Sequence, residues 1–448
     1  MATRPARTRS VRTLSATAPS KTTQMKVKKR AITLGGGGPA AGLHVGVLEA
    51  LAGRGINFDV WALSCIGAWV GIVYNQFDKD NVERTYEFFR DNVFRDDESY
   101  KRFPINTVFG PDWRTNFDAL NDFVTDGDNY KDLFLNPYRM LDTFQDTLSL
   151  WSGLMPGQDK KKKFKRLDDG DLNRWILNQA MAPNPFIRYL TSMMYLSNVN
   201  GLSRINYPDS DFMKSIKFRK LFETNKDGEE RPFIFHNAWD LDRKRLALFA
   251  NRPMKSELYK GPITSSSLCA CSALPFVEET VEMDGTTYCE GALIDTVNFE
   301  SLLEEHPDLD EIWISRIVDS QQIRKPKNLH DGLANLCQLF AATVGEDDVK
   351  LFKYHVKYDP PPKNGKKWHG TVIEIHVPGH INFKWNHSNL DKGRKLGRLA
   401  TQQAIAAYEK HKDEKEPNRP HFINEHPEDD ERWRALRDEY KAMRRAAE

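Results

Sequence analysis

Cysteine is scarce in this sequence of 448 residues, which contains five cysteines and no Cys-x-x-Cys pair. A small, odd number of cysteines in a long chain argues against a disulfide framework and favours a reducing compartment. The spacing of a structural zinc site is also missing, because a single residue separates Cys269 from Cys271. We therefore expect the protein to use neither a metal ion nor another cofactor.

Long apolar runs are missing too. The longest uncharged apolar stretch, Val60–Tyr74, is shorter than the ~18–20 residues that span a bilayer. The N-terminus has no apolar core after its arginines, which argues against a secretory signal. Its Arg-, Ser- and Thr-rich, acid-free composition is typical of a disordered basic arm, and it also suits an organellar transit peptide. We predict a cytoplasmic location, with peripheral membrane contact and an organellar address as alternatives.

The sequence has little net charge, +2 from 65 basic and 63 acidic residues. Residues 1–30 contain nine Lys or Arg and no acid, so the remaining residues have 56 basic and 63 acidic side chains, a net charge of −7. Nucleic-acid binding through the basic arm has only its charge to support it, and the net charge of −7 on the body argues against it, so we expect no nucleic-acid partner. Hydrophobic residues make up 40% of the chain, which excludes a wholly disordered protein.

The first ordered part of the chain alternates strands and helices. Ala31–Leu34 predicts a strand, and Gly35–Gly38 predicts a turn before leucines and valines that recur at helical spacing. Phe58–Leu63 predicts a second strand, followed by a helix over Ile66–Phe77 with small residues on one face. This order predicts a parallel α/β fold.

The remaining pattern sets the expected domain organisation. We predict a disordered arm over 1–27, an α/β domain over 28–412 with a mainly helical insertion at about 78–230, and a charged helical tail over 413–448. Further predicted elements are helices at Val82–Phe94, Leu133–Leu150 and Asp429–Ala447, strands at Phe233–Asn237, Arg245–Ala250 and Ile312–Ser315, and a helix at Lys392–His411 capped by Asp391.

A basic run lies in the insertion, just after the apolar residues Trp151, Leu154 and Met155. It is either a solvated loop or a contact for an anionic membrane or lipid surface, in which the apolar side chains insert beside the charges. The run consists of Lys160, Lys161, Lys162, Lys163, Lys165 and Arg166.

The glycine cluster Gly35–Gly38 is the first candidate for chemistry, because it lies between a strand and the N-terminus of a helix. Consecutive glycines let the backbone approach a ligand and present its N–H groups, either to a phosphate or to an oxyanion. Nucleotide motifs do not match, since no Gly-Lys-Ser/Thr follows and Ala40 and Ala41 replace the glycine that Gly-x-Gly-x-x-Gly requires.

Cys65 is the second candidate. It follows a predicted strand and opens a helix, where a nucleophile elbow belongs, and Gly67 matches the trailing glycine of Gly-x-Ser-x-Gly. A thiol serves as a nucleophile when a base or a local field activates it. The alternative is a buried cysteine that behaves as a small apolar residue.

Glu290 is the third candidate, in the turn Glu290–Ala292 late in the chain. A carboxylate beside glycine can act as the base for a nucleophile far away in the sequence. The alternative is a turn that exposes an acidic side chain.

Together these elements resemble the patatin-like phospholipase family. That family has a glycine-rich oxyanion loop, a helix with His-x-Gly-Val-Leu, a Gly-x-Ser-x-Gly elbow, an Ala-Ser-Ser-Ala-x-Pro segment and an Asp-Gly-Gly or Asp-Gly-Ala turn, in this order. Here the corresponding segments are Gly35–Gly38, His44–Leu48, Ser64–Gly67, Ala270–Pro275 and Glu290–Ala292.

The resemblance covers about Ala31–Phe299 and continues more weakly to His411. It implies a three-layer α/β/α fold with a central, mostly parallel sheet and a large, mainly helical insertion. It also implies a catalytic dyad of nucleophile and carboxylate, without a histidine or a metal, so that His44 would be structural.

Both catalytic positions depart from the family pattern, because Cys65 replaces serine and Glu290 replaces aspartate. Ser64 is an alternative nucleophile, one residue before the apex of the elbow. By resemblance, the N–H groups of the glycine loop form the oxyanion hole and two glycines support the elbow and the acidic turn. These positions are Gly36, Gly37 and Gly38 for the hole, and Gly67 and Gly291 for support.

The resemblance implies an acyl-ester hydrolase that acts on a lipid or another apolar ester. Two alternatives use the same fold. A thioester on Cys65 could pass its acyl group to an acceptor alcohol, which would make the protein an acyltransferase. A protein that had lost hydrolysis would be a catalytically silent lipid-binding or scaffold protein.

Overall fold

The computed structural model describes residues 28–102, 109–110, 113–127, 187, 189–190, 201–205, 211–224, 228, 230–318, 323, 325–358, 367–377 and 381–425. The predicted arm (1–27), the basic run at Lys160–Arg166 and the predicted helices Leu133–Leu150 and Asp429–Ala447 lie outside these ranges and stay predictions.

The described strands and helices alternate along most of the chain. The strands are β1 (Arg30–Leu34), β2 (Val60–Leu63), β3 (Phe109–Gly110), β4 (Gly201–Ile205), β5 (Phe233–Asp240), β6 (Arg245–Ala250), β7 (Tyr259–Pro262), β8 (Phe276–Glu278), β9 (Val281–Met283), β10 (Thr286–Glu290), β11 (Glu311–Arg316), β12 (Thr371–His376) and β13 (His421–Ile423). The α-helices are α1 (Ala41–Ala52), α2 (Ile66–Asn75), α3 (Asn81–Asn92), α4 (Asp97–Arg102), α5 (Trp113–Thr125), α6 (Asp211–Ser215), α7 (Ser265–Cys271), α8 (Phe299–Glu305), α9 (Leu329–Tyr358) and α10 (His387–His411). Short 3₁₀ helices span Phe218–Phe222 and Gly291–Leu293.

The central sheet is mostly parallel. Its strand order is β13-β12-β11-β1-β2-β5-β10-β9, and β6 and β7 continue from β5. The strands from β13 to β5 pair in parallel, whereas β10 pairs antiparallel with β5 and β9. A small second sheet has the order β3-β4-β8. Because parallel strands need crossover connections, helices cover both faces of the central sheet.

Alternation along the strands creates two hydrophobic cores. In β1, Ile32 and Leu34 pack in the core that contains α1, α2 and α10, whereas Ala31 packs in the core that contains α8 and α9. The neighbouring strand follows the same rule, with Trp61 on the first side and Val60 on the second. Successive side chains of a strand point to opposite faces, so the sheet is the middle layer. The predicted three-layer α/β/α fold is confirmed.

Helices α1 and α10 pack with their backbones in close contact. A Cβ atom added to Gly42 would lie 2.2 Å from the carbonyl oxygen of Leu390, and one added to Gly46 would lie 2.0 Å from that of Arg394. On the facing helix, a Cβ atom added to Gly397 would lie 2.1 Å from the carbonyl oxygen of Leu43. Both helices therefore require glycine at this contact. The contact fixes the position of α1, the helix that follows the glycine loop.

The start of α10 differs from the prediction. The helix begins at His387 with Asn386 as its N-cap residue, so Asp391 is not the cap. Asp391 instead accepts a hydrogen bond from the hydroxyl of Tyr86. The helix starts earlier because Leu390 in its first turn is fully buried, and this packing extends the helix beyond the predicted start.

The end of the domain differs as well. β13 pairs in parallel with β12, which places residues after 412 in the central sheet. The sheet therefore extends past the boundary that the sequence predicted, and the first part of the predicted helical tail contains a strand. A three-residue strand next to charged turns has too little apolar alternation to be recognised from the sequence.

Candidate active site

Cys65 lies at a sharp turn between β2 and α2. It is the N-cap residue of α2 and has a positive φ of 47°, a conformation that non-glycine residues rarely adopt. Its backbone N–H donates to Sγ of Cys271 at 3.1 Å. The first turn of α2 packs tightly against the end of β1, because a Cβ atom on Gly67 would lie 2.1 Å from the carbonyl oxygen of Leu34. The turn has the strained strand-to-helix form of a nucleophile elbow.

Glu290 reaches this turn because β5 is longer than β2. Leu63, at the end of β2, pairs with His236, and β5 continues beyond it to Asp240. β10 runs back along this extension and ends with Glu290 opposite Ala238. The carboxyl group of Glu290 lies beside the thiol of Cys65, where burial and the charge of Glu290 raise the pKa of the thiol, and a Cβ atom on Gly36 would be close to both residues. Two residues that are far apart in the sequence thus meet at one edge of the sheet.

Gly291 allows this close fit of the acidic turn. A Cβ atom at Gly291 would lie 2.7 Å from Oδ1 of Asn237 and 2.9 Å from Cα of Ala238. A side chain there would push the turn away from β5, and Glu290 would move with it.

The glycine loop packs directly on the Cys65–Glu290 pair. A Cβ atom on Gly36 would lie 3.2 Å from Cβ of Cys65 and 3.6 Å from Oε1 of Glu290. Gly38 has a left-handed φ of 58° and packs against the ring of Phe383. Among the residues that the structure describes, no acceptor binds the backbone N–H groups of Gly36, Gly37 and Gly38. These three donors remain available to a ligand.

His44 holds the loop from behind. Its Nε2 donates to the carbonyl oxygen of Gly35 at 2.9 Å, and its Nδ1 accepts from the hydroxyl of Ser315 at 3.1 Å. Burial lowers the pKa of His44 to about 4, so the ring is neutral and its two hydrogen bonds fix one tautomer. His44 is fully buried and acts as a structural support for the loop.

Burial dominates the electrostatics of the pair. It raises the pKa of Glu290 to about 7, and the hydrogen bond from Cys65 offsets part of this rise. Burial, and then the nearby charge of Glu290, raise the pKa of the Cys65 thiol well above its ordinary value. Near neutral pH the thiol therefore keeps its proton while the carboxyl of Glu290 titrates.

Ser64 points away from this site. Its fully buried hydroxyl lies 3.2 Å from Oδ1 of Asn237, to which it donates, and accepts from Nδ2 of Asn298 at 2.9 Å. Asn237 also donates to the carbonyl oxygen of Asp295 at 2.6 Å. These bonds tie β2 and β5 to the segment after the acidic turn, which gives Ser64 a structural role.

A cavity of about 550 Å³ opens over the pair and is mainly apolar, with a few polar side chains. It is bounded by the glycine loop, the elbow, the turn after β10, and residues from α9 and from the segment before α10. Its lining residues include Ile66, Trp69, Leu274, Val277, Leu293, Cys337, Gln338, Ala341, Phe383 and Trp385. A volume of this size is typical of a pocket for a small organic ligand.

Sequence reasoning missed the contribution of α9, which supplies Cys337, Gln338 and Ala341 to the cavity. Buried residues recur along this helix at intervals of three or four, as in Val349, Phe352 and Val356, and this spacing was the available signal. Lysine and glutamate among the buried positions weaken that signal.

Within the described ranges, no cluster of His, Cys, Asp and Glu side chains is arranged to bind a metal ion. None of the helices in these ranges has the length and apolar character needed to cross a bilayer.

The strained turn, the adjacent carboxyl group and the unoccupied N–H donors are features of α/β proteins with a nucleophile elbow. The chain belongs to the patatin-like phospholipase family, whose sequence model matches residues 32–303. The resemblance inferred from the motifs is thereby confirmed.

Two of the solved structures with a similar chain are bacterial proteins. VipD from Legionella pneumophila has 11% identity and a TM-score of 0.35, over 85% of this chain and 67% of VipD. The heterodimeric ExoU–SpcU complex from the type III secretion system of Pseudomonas aeruginosa gives 11% identity and a TM-score of 0.22, over 86% of this chain and 60% of the matched chain. A comparison with curated proteins found no match.

Proposed function

We propose that this protein hydrolyses acyl esters of lipids with Cys65 as the nucleophile and Glu290 as the base, a pair that we call the dyad. The observation that carries this proposal is the placement of the Cys65 thiol beside the carboxyl group of Glu290 in the wall of an apolar cavity, next to three unoccupied backbone donors. Family membership supports a lipid substrate.

The order of proton transfer follows from the two raised pKa values. A free thiolate is scarce near neutral pH, because burial and the charge of Glu290 both disfavour it. The carboxylate of Glu290 therefore removes the thiol proton while the sulfur attacks the ester carbonyl, as a general base. The tetrahedral intermediate then collapses to a thioester on Cys65, and Glu290 gives its proton to the departing alkoxide, which leaves as the alcohol. Glu290 next takes a proton from the water that attacks the thioester, and it returns this proton to the sulfur as the fatty acid is released.

The N–H groups of Gly36, Gly37 and Gly38 are suited to hold the oxyanion of the tetrahedral intermediate. Each well-placed donor contributes about 3–4 kcal/mol to transition-state stabilisation in sites of this type. Pro39 has no N–H, so the donors must come from the glycines before it. The apolar wall formed by residues such as Trp69 and Phe383 suits the hydrocarbon part of the substrate.

Substitution of Cys65 tests the proposal. We expect Cys65→Ala to lose hydrolysis of lipid esters by roughly 10³-fold or more while remaining folded. Cys65→Ser keeps a hydroxyl in reach of Glu290 and should retain measurable activity. The measurement is release of fatty acid from mixed micelles, with far-UV circular dichroism as the check on folding.

Cys269→Ala is the matched control, because Cys269 is a buried thiol on α7 that does not line the cavity. It should keep wild-type turnover. Equal activity of wild type and Cys65→Ala would refute the proposed nucleophile.

A silent lipid-binding protein is the second candidate, favoured by the raised pKa of the Cys65 thiol. That protein would bind the ester and not turn it over. Wild type that binds a monoacylglycerol in calorimetry but releases no fatty acid or acyl-transfer product would establish this alternative.

A further inference from the structure

Gln338 is a buried amide in the wall of the cavity. It lies on α9 next to Cys337, is 3% exposed, and contributes to the lining together with the dyad. No hydrogen-bond partner for its side chain occurs among the described residues, and its Oε1 atom is buried. A buried amide without partners destabilises a fold unless another molecule supplies them.

The hydroxyl and carboxyl groups of the cavity differ from Gln338, since each has a protein partner. The hydroxyl of Ser272 accepts from Nε1 of Trp69 at 2.6 Å. Ser203 donates to the carboxyl of Glu278, also at 2.6 Å. Within the described ranges, Gln338 is therefore a cavity side chain whose hydrogen-bonding capacity awaits a ligand.

The chemistry of an ester limits what this partner can be. The acyl chain has no polar atoms, and the N–H groups of the glycine loop already serve the scissile carbonyl in the proposed mechanism. The remaining polar atoms belong to the alcohol part of the ester. An amide both donates and accepts, which suits a hydroxyl or an ester oxygen of a polyol such as glycerol.

We propose that Gln338 is a specificity-determining residue that hydrogen-bonds an oxygen in the alcohol part of the substrate, an inference that rests on the proposed function. The site then selects glycerol esters over esters of simple alcohols, because an alcohol without the second oxygen leaves the buried amide unpaired.

The test compares two esters of one fatty acid, monodecanoylglycerol and methyl decanoate, in the same mixed micelles. Wild type should have the higher kcat/KM for the glycerol ester, and Gln338→Met should lower the ratio of the two kcat/KM values roughly tenfold. Methionine keeps the length of the side chain and removes the amide. Gln403→Met, at an exposed position on α10, is the matched control and should keep the wild-type ratio.

A ratio in Gln338→Met equal to that of wild type would overturn the inference, even if both rates fell together. If wild type hydrolyses neither ester, the proposed function fails, and calorimetry with monodecanoylglycerol then decides on Gln338. Binding that is roughly tenfold weaker in Gln338→Met supports the inference. Equal binding, or none to wild type, overturns it.

Discussion

Cys65 and Glu290 share one proton between two groups whose pKa values are both raised. Because the pKa of Glu290 is about 7 and that of Cys65 is well above its ordinary value, the proton stays on sulfur over most of the accessible pH range. In the proposed mechanism, the ionisation state of Glu290 therefore decides whether a base is present. We therefore attribute the pH dependence of the proposed activity to the carboxyl group of Glu290.

We expect kcat/KM to fall below pH about 7, with a slope of one in the logarithmic plot, because Glu290 is protonated there and cannot accept the thiol proton. Above that pH the profile should reach a plateau. Initial rates between pH 5 and 9 with a monoacylglycerol check this, and Cys65→Ser should keep the same acid limb. If the acid limb shifts to another pH in Cys65→Ser, the pKa that it reports belongs to residue 65 and not to Glu290.

The ionisation of Glu290 should make the stability of the folded protein fall as the pH rises. Its pKa is higher in the folded protein than its ordinary value of 4.5, so the folded state binds this proton more tightly than the unfolded state. The associated stability is present below pH 4.5 and is lost as the pH rises through about 7. We therefore expect Glu290→Gln to be inactive yet to melt at a higher temperature than wild type at pH 8, with a smaller difference at pH 4. Equal melting temperatures at pH 8 would argue against a buried carboxylate.

At the scale of elements, the contact between α1 and α10 positions the loop. The loop is followed directly by α1, and Gly42 and Gly46 let this helix approach the backbone of α10. A shift of α1 would therefore move the backbone N–H groups of the glycine loop away from Cys65.

We expect Gly46→Ala to destabilise the protein by about 1–3 kcal/mol, because its Cβ atom would lie 2.0 Å from a carbonyl oxygen of α10. Gly332→Ala is the control, since nothing lies within 4 Å of a Cβ atom at this helical position. It should be neutral or stabilise by about 0.5–1 kcal/mol. Urea unfolding measures both, and similar values for the two variants would show that the helices can move apart.

The elements that were predicted correctly have strong local patterns. β1, β2, β5 and β6 are short apolar runs bounded by turns, and the motif order placed Cys65 and the glycine loop together. The sequence could not place α9 over the cavity, because that depends on how the chain returns after β11. Nor could it show that Cys271 contacts the backbone of Cys65, since two thiols 206 residues apart have no pattern that links them.

At the scale of the whole molecule, the family match and the folded unit have different extents. The match ends at residue 303, yet β1 pairs with β11 on one side, and β12, β13 and α10 come later still. The glycine loop follows a strand that needs a partner from outside the matched region.

A chain of residues 1–305 should therefore fail to fold cooperatively, because β1 would become an edge strand and α1 would expose its glycine face. A chain of residues 1–425 keeps every described strand and should show a single unfolding transition. Near-UV circular dichroism and urea unfolding separate the two. Cooperative unfolding of the shorter chain would show that the matched region is self-sufficient.

The pairing of β1 with β11 also sets when the site can form during synthesis. Arg30 in β1 contacts Glu311, 281 residues later, and Glu49 at the end of α1 contacts Arg394, 345 residues later. At ribosomal rates the second partners emerge on the order of tens of seconds after the first. Cys65 is therefore synthesised well before the strands and the helix that frame it, and its surroundings are complete only after α10 has left the ribosome. A product that ends before α10 would contain Cys65 without this framework, so the proposed lipolytic activity should begin only after α10 has been synthesised.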